Sequence, residues 1–586
     1  MSKPPSQPSP QPMVEWLAPR VLLHSAQEVV LSGLFANFAD KRETMAGLSD
    51  EPFRYDQSAT EGDFWFDYAS DVGDGFDATY AIAELLAQPL TLGHEGTEPA
   101  KTERGRLLVL GGDQVYPTAN WQAYEERFRL PYGLALPDAE RPPHLFAIPG
   151  NHDWYDGLTA FTRVFCQRGH VGGWQSRQAR SYFALKLPRG WWLWGIDIQF
   201  DAYIDGPQIE YFKAIARQTT PGDQVILATA KPSWVHVEDP QNPPQSWKSL
   251  AWFEEEVICK ASEDRAKLAL TLTGDLHHYS RYEPVDREPD SLGAKVTAGG
   301  GGAYLSPTHW LPEARELPKA KRANTPVDAS STGPIPYERT TIWPESEASS
   351  ALARGILEHR HPGKTKRLWM VLGPIYALLA LLTAAAVRDQ FPSFEGAVAE
   401  GPGILLDAIS IWLLLLVGAL AFGLRVWARS AGAPGVYGVV HALAHVVLAW
   451  GVSVAVLLIP LDWGFLRGYL ATAVVFVVGV FVGRLVFVQY LWWTHRAGVK
   501  RKQPLWHANE VFAGQGIPDY KHFLRFRIDP KGRLTMWAVG VEQVARYGPE
   551  LKDGKPDLVT PGTAPTVFDY REVRAPVKAP ARQPVP

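Results

Sequence analysis

The chain has 586 residues, with 58 Lys+Arg against 62 Asp+Glu and a formal net charge of −4. A near-neutral balance lacks the basic footprint of a nucleic-acid binder. The two cysteines, Cys166 and Cys259, exclude a disulfide-stapled scaffold and any zinc site built from cysteine. Any metal must be held by His, carboxylate, Asn or Tyr. The mean hydropathy of −0.14 averages two halves of different kind, since the composition changes sharply after about residue 367.

In chain order, residues 1–13 are rich in Pro, Ser and Gln and predict a disordered tail. They lack the basic and then apolar pattern of a secretory signal. Apolar residues recur at helical spacing from Val14 to about Asp40. From Phe64 to His309 short apolar runs alternate with amphipathic segments, so 14–311 reads as one α/β domain. The expected strands are Leu107–Leu110, His144–Ile148, Trp191–Ile196, Gln224–Thr229 and Leu268–Thr273. Most lead into polar, Gly-containing clusters, and the C-terminal ends of strands are where α/β sheets hold ligands.

Residues 312–367, polar and without periodicity, read as a linker with a basic juxtamembrane end. Within 368–493 lie four apolar stretches, Leu368–Val387, Ile404–Leu424, Val436–Leu458 and Tyr469–Trp493. Each is long enough to cross a bilayer as a helix. Arg354, Arg360, Lys364, Lys366, Arg367, Arg425, Arg429, Arg496, Lys500, Arg501 and Lys502 lie on one side of the implied topology, against Arg388 and Arg467 on the other. The positive-inside bias then puts both long flanks in the cytoplasm, for a multi-pass protein of the cell membrane. In the final segment, 494–586, HFLRFRI, DPKGR and LTMWAVGV predict a β-hairpin able to join the sheet of the first domain, followed by a disordered end. His441 and His445, spaced i, i+4 in the third span, share a helix face, and Asp407 and Arg484 lie in the second and fourth. Such groups either satisfy one another between helices or form a proton path or buried metal site.

Four polar clusters carry the chemistry: SDVGDG (Ser70–Gly75), GGDQVY (Gly111–Tyr116), GNHDWYDG (Gly150–Gly157) and TGDLHHY (Thr273–Tyr279). Taken singly, Asp71, Asp74 and Asp77 also read as turn or cap carboxylates, and Tyr116 before Pro117 as a packed ring. Gly299–Gly302 suggests either close backbone approach at a pocket rim or a plain loop. Together and in this order, the clusters resemble the sites of the calcineurin-like metallophosphoesterase superfamily. Asp71-Val72-Gly73 and Gly112-Asp113-Gln114-Val115-Tyr116 are similar to the purple acid phosphatase variant, and Gly274-Asp275-Leu276-His277 to the PhoD-type variant.

The resemblance implies a metallophosphoesterase-type β-sandwich flanked by helices, here followed by four transmembrane helices and the hairpin tail. It implies one or two divalent or trivalent ions (Fe, Mn or Zn), one held by Asp71, Asp113, Tyr116 and His277. The second would take Asp113 as a bridge, Asn151 and Asp275. His152 would stabilise or protonate the leaving group, with Asp153 fixing its tautomer. Two cations sharing a carboxylate activate water and clamp the attacking and leaving oxygens of a phosphoryl group. The expected activity is hydrolysis of a phosphate mono- or diester on the cytoplasmic side, the substrate being membrane-associated or soluble.

Two departures bear on this. Ala230, in VILATAKPSW, stands where the superfamily has a lone His, and Asp275 replaces the first His of the last motif. His236 and His278 are the candidates to compensate. A catalytically silent sensor coupled to the helices is therefore the alternative, and a transport role for His441, His445 and Arg484 a third reading.

Overall fold

The computed structural model describes residues 8–24, 27, 40–46, 54–93, 99–198, 203–285, 293–319, 333–358, 365–390, 409–457, 459, 466–501, 503 and 505–573. The chain forms two compact units. One is continuous in space but not in sequence, comprising Met1–Val14, Ser25–Glu345 and Pro518–Pro586; the other comprises Glu15–His24 and Ser346–Ile517.

The first unit is mixed α/β with two large sheets. The strands that matter most are β1 (Phe64–Ala69), β2 (Leu107–Leu110), β3 (His144–Ala147), β4 (Asp223–Ala228), β5 (Ala266–Thr273), β6 (Ala294–Ala298), β7 (Lys521–Ile528) and β8 (Leu534–Val541). The eight-stranded sheet runs Thr566–Val573, β8, β7, β1, β2, β3, Trp174–Ser176, His170–Val171. The nine-stranded sheet has β4, β5 and β6 side by side at its centre. β1, β2 and β3 are mutually parallel, as are β4, β5 and β6.

Alternation along these strands explains the layers, since successive side chains point to opposite faces. In β2, Leu107 and Val109 join an apolar layer shared with Ile226, Leu270 and Val296 of the other sheet. Leu108 and Leu110 face outward, onto Ile82, Leu86, Phe161 and Phe165 of the helices Phe76–Leu86 and Thr159–Phe165. The second sheet is covered in the same way by Phe212, Ile215, Trp247 and Leu250. The result is a helix–sheet–sheet–helix sandwich whose central strands, β1 and β2 among them, are buried on both faces.

All five expected strands form, with ends shifted by a residue or two. Three segments differ from expectation. β1 (FWFDYA) is a strand that periodicity does not reveal, because Asp67 interrupts its apolar run; Arg525 of β7 neutralises that acid. The segment read as linker supplies two further strands, Ala314–Leu317 and Ile335–Trp343, to the nine-stranded sheet. In the expected tail and the residue after it, residues 8–14 are tied to the domain by backbone bonds that no periodicity encodes. Phe76 N–H donates to Gln11 O at 2.9 Å, and Val14 N–H to the buried Asp74 carboxylate at 2.7 Å.

The hairpin of the last segment forms as β7 and β8, and β7 pairs antiparallel with β1. Among its described residues the second unit contains four helices long and apolar enough to cross a membrane: α1 (Trp369–Gln390), α2 (Ile411–Ser430), α3 (Gly435–Leu457) and α4 (Leu466–Lys500). Tyr376, Leu379, Leu413, Ala449 and Val475 pack at their centre, while Trp412, Phe422, Val440 and Phe481 are exposed. An apolar exterior suits a lipid environment. Asp407 lies outside the described residues.

Candidate functional site

Parallel strands present their C-terminal ends at the same edge of a sheet, and the motifs follow those ends directly. Asp71 follows β1, Asp113 follows β2, Asn151 and His152 follow β3, Ala230 follows β4, and Asp275 and His277 follow β5. Asp71, Asp113 and Asp275 each have a positive φ, of 59°, 51° and 64°. Short acidic residues tolerate this left-handed turn better than most, and such turns cluster at functional sites. Close approach also dictates Gly150, where a Cβ would collide with Asp113 Oδ1.

The side chains converge. Tyr116 OH donates to Asp71 Oδ1 at 2.8 Å and lies 3.4 Å from Asp113 Oδ2 and 3.1 Å from His277 Nε2. His277 Nε2 is 3.6 Å from Asp71 Oδ1. Asp275 N–H donates to Asp71 Oδ2 at 3.0 Å, and His152 N–H to Asp113 Oδ1 at 2.8 Å. The Asn151 carboxamide closes the cluster: its Nδ2 donates to Tyr155 OH at 3.1 Å, while its other terminal atom lies 3.2 Å from both Asp113 Oδ2 and Asp275 Oδ1. An oxygen there repels both carboxylates. Turning the amide over lets its nitrogen donate to both and its oxygen accept from Tyr155 OH at 3.1 Å.

Asp153 stands apart from its expected role. Its carboxylate accepts from Gly150 N–H at 2.8 Å, Gln114 N–H at 3.2 Å and Tyr124 OH at 2.5 Å, and so ties the β2 and β3 loops together. The tautomer of His152 is set instead by the Pro117 carbonyl, 2.6 Å from Nδ1. A carbonyl only accepts, so Nδ1 carries the proton and Nε2 the lone pair. The sequence motif could not separate these roles, because both residues simply follow Asn151.

Burial dominates the electrostatics. It pushes Asp113 up to about 8, with the Asp275 charge adding to the shift and the His152 N–H opposing it. Asp71 is likewise held well above the ordinary carboxylate range, by burial first and then by Asp113 and Asp275. Burial lowers His152 to about 4 and holds His277 well below the ordinary imidazole range. At pH 7 the metal-free cluster thus holds a proton on Asp113, and His152 is neutral. That is the state a cation displaces.

Among the described residues, no group of three or more His, Cys, Asp or Glu side chains stands ready to hold a metal. The donors that do meet are mixed, with carboxylate, phenol, imidazole and carboxamide all represented, and a hard or borderline cation suits that set. Ala230 contributes nothing to it. Its methyl lies against Gly112, and no hydrogen bond or ion pair among the described residues brings His236 or His278 to the cluster.

In the helical unit, His445 Nε2 is 2.9 Å from His441 Nε2, and Tyr376 OH is 2.7 Å from His445 Nδ1. The His441 ring stacks on Tyr490 at 3.9 Å. The two histidines share one helix, α3, and reach Tyr376 of α1 and Tyr490 of α4. Arg484 lines a small cavity with Ile356, Thr365 and Gln515.

No family model matches the chain, and no curated protein does. Sixteen chains of solved structures are weakly similar, three of them as follows. The first is GAP50, the anchor in the inner membrane complex of Plasmodium, at 11% identity and a TM-score of 0.30, covering 48% of this chain and 78% of that one. The second is PhoD, at 14% and 0.28, covering 42% and 59%. The third is the purple acid phosphatase PPD1 from yellow lupin (Lupinus luteus) seeds, at 12% and 0.27, covering 48% of each chain. The chain thus spans less than two thirds of either phosphatase.

Proposed function

We propose that the protein is a membrane-tethered, metal-dependent phosphoesterase, hydrolysing a phosphate mono- or diester on the cytoplasmic side. The observation that carries this reading is the meeting of Asp71, Asp113, Tyr116, Asn151, Asp275 and His277 at one edge of the sandwich. Asp71, Asp113, Tyr116 and His277 would hold one Fe, Mn or Zn ion; Asp113, Asn151 and Asp275 are what a second would find, without a His at position 230. A bound cation would polarise the phosphoryl group and lower the pKa of water. The chain's own residues do the rest. Asp153 fixes the loops that carry Asp113 and Asn151. His152, oriented by Pro117 and neutral at pH 7, presents Nε2 to exchange a proton with the substrate.

The tether supports the cytoplasmic assignment. The chain leaves the first unit after Glu345 and returns to it at Pro518, so the membrane must be crossed an even number of times between. Four helices satisfy that parity, and the basic residues favour the cytoplasm. The test is hydrolysis of a phosphomonoester and phosphodiester panel with Mn, Fe or Zn by the full chain and by Asp113→Asn. Metal-dependent turnover lost in Asp113→Asn is the expected result. A fully inactive wild type favours the silent sensor, the reading that Ala230 supports.

A further inference from the structure

The loop after β6 walls the site. Gly301 N–H donates to Ser70 O at 2.9 Å, Ala303 N–H donates to Asp71 O at 2.8 Å, and Tyr304 N–H donates to Asp74 Oδ2 at 3.2 Å. The Tyr304 ring meets His277 edge-on, with centroids 4.6 Å apart. One short segment therefore holds the backbone of Asp71 and the imidazole of His277 together.

The far side of that segment is held by β7, the strand into which the chain passes after α4. His522 N–H donates to Gly300 O at 2.9 Å, and Lys521 Nζ donates to Ala303 O at 2.6 Å. Lys521 is 0% exposed. Among the described residues no carboxylate lies in ion-pair contact with it, and the charges of Asp519, Asp74 and Asp71 favour its ammonium from farther off. Burying an ammonium is costly unless its hydrogen bonds are met. The Ala303 carbonyl meets one, and the same residue's N–H grips Asp71.

We propose that Lys521 is a positioning residue for Asp71 and His277, acting through Ala303 and Tyr304. The segment that follows the fourth helix is then a working part of the site. This rests on the metal-site reading above. Groups that orient metal ligands from behind typically change affinity 10–100-fold when removed, so the effect falls on metal binding rather than on the fold alone.

The experiment is calorimetric titration of the metal-free, full-length protein in detergent with Mn²⁺ alone. Lys521→Met removes the bond to Ala303. Gly300→Ala pushes the same loop from the β7 side, because a Cβ there would collide with His522. Asp223→Ala is the control. Asp223 opens β4 at the opposite end from Ala230 and anchors Trp192 Nε1 at 2.8 Å, so its loss weakens the fold away from the loop. The expected result is Mn²⁺ affinity reduced about 10–100-fold in Lys521→Met and Gly300→Ala and unchanged in Asp223→Ala. Should Lys521→Met fail to fold, Gly300→Ala decides. Wild-type affinity in the loop variants, or an equal loss in Asp223→Ala, overturns the inference and leaves the metal site standing. A wild type that binds no Mn²⁺ overturns both.

Discussion

Arg525→Met probes the joint between β7 and β1. The guanidinium grips Asp67 with two bonds, Nε to Oδ1 at 2.8 Å and Nη2 to Oδ2 at 3.0 Å, and the two side chains are 0% and 3% exposed. Nη1 also donates to Gln88 O and Thr102 Oγ1, each at 3.1 Å. Removing one partner of so buried a pair costs about 3–5 kcal/mol, because the remaining charge is left without compensation. Burial already pushes the Asp67 carboxyl above its ordinary range, with Arg525 pulling the other way. Without Arg525 the folded protein holds a proton on Asp67 that the unfolded chain releases above about pH 4. Stability therefore falls as pH rises from there toward the folded-state value. Arg525→Met should be close to wild type at pH 5 and lose most at pH 8. Asp67→Leu/Arg525→Met, with neither charge, should recover all but about 1–2 kcal/mol. Urea unfolding of the full chain in detergent, followed by the fluorescence of its 22 tryptophans, measures this. A single-variant loss below about 1 kcal/mol, or a double variant no better than the single, refutes the argument.

With Asp113 at about 8, the metal-free protein holds a proton there at pH 7, and Mn²⁺ should expel it. Affinity should then climb at least about tenfold per pH unit from pH 5 toward 8, whereas a flat profile in calorimetry would contradict it. The same raised carboxyl makes metal-free stability decline as pH rises from about 4 toward 8, which thermal melts over that range will detect. Ala230→His restores an imidazole beside Gly112, and elemental analysis should find one more Mn per chain than in wild type. Joining Glu345 to Pro518 through a short Gly/Ser link, with 346–517 removed, should give a folded, detergent-free protein. The Trp343 and Tyr520 rings at the join lie 5.5 Å apart. A chain stopped at Glu345 should aggregate, and a well-dispersed amide NMR spectrum from it would refute that.

Much of this was readable beforehand because it is local. Leu107–Leu110 and Leu268–Thr273 are apolar runs bounded by turn residues, and Asp71, Asp113, Asn151 and His277 sit in loops whose spacing carries the motif. What escaped depends on distant partners. β1 looks broken until Arg525 is supplied. Ile335–Trp343 is polar on its exposed positions and pairs with a neighbour chosen by topology. Gln11 and Val14 are tied down through their backbone groups, which no side-chain pattern records. Asp153 adjoins His152 in sequence, yet its oxygens turn toward Gln114 and Gly150.

On the ribosome, β1 emerges long before β7, and every apolar helix is translated in the interval. Throughout that wait β1 has an unpaired flank and Asp67 has no counter-ion. An open strand edge of this kind invites sticking between nascent chains. The sandwich can close only once residues 346–517, with their long apolar helices, have been made, so a pause in that stretch should surface as misfolding of the sandwich.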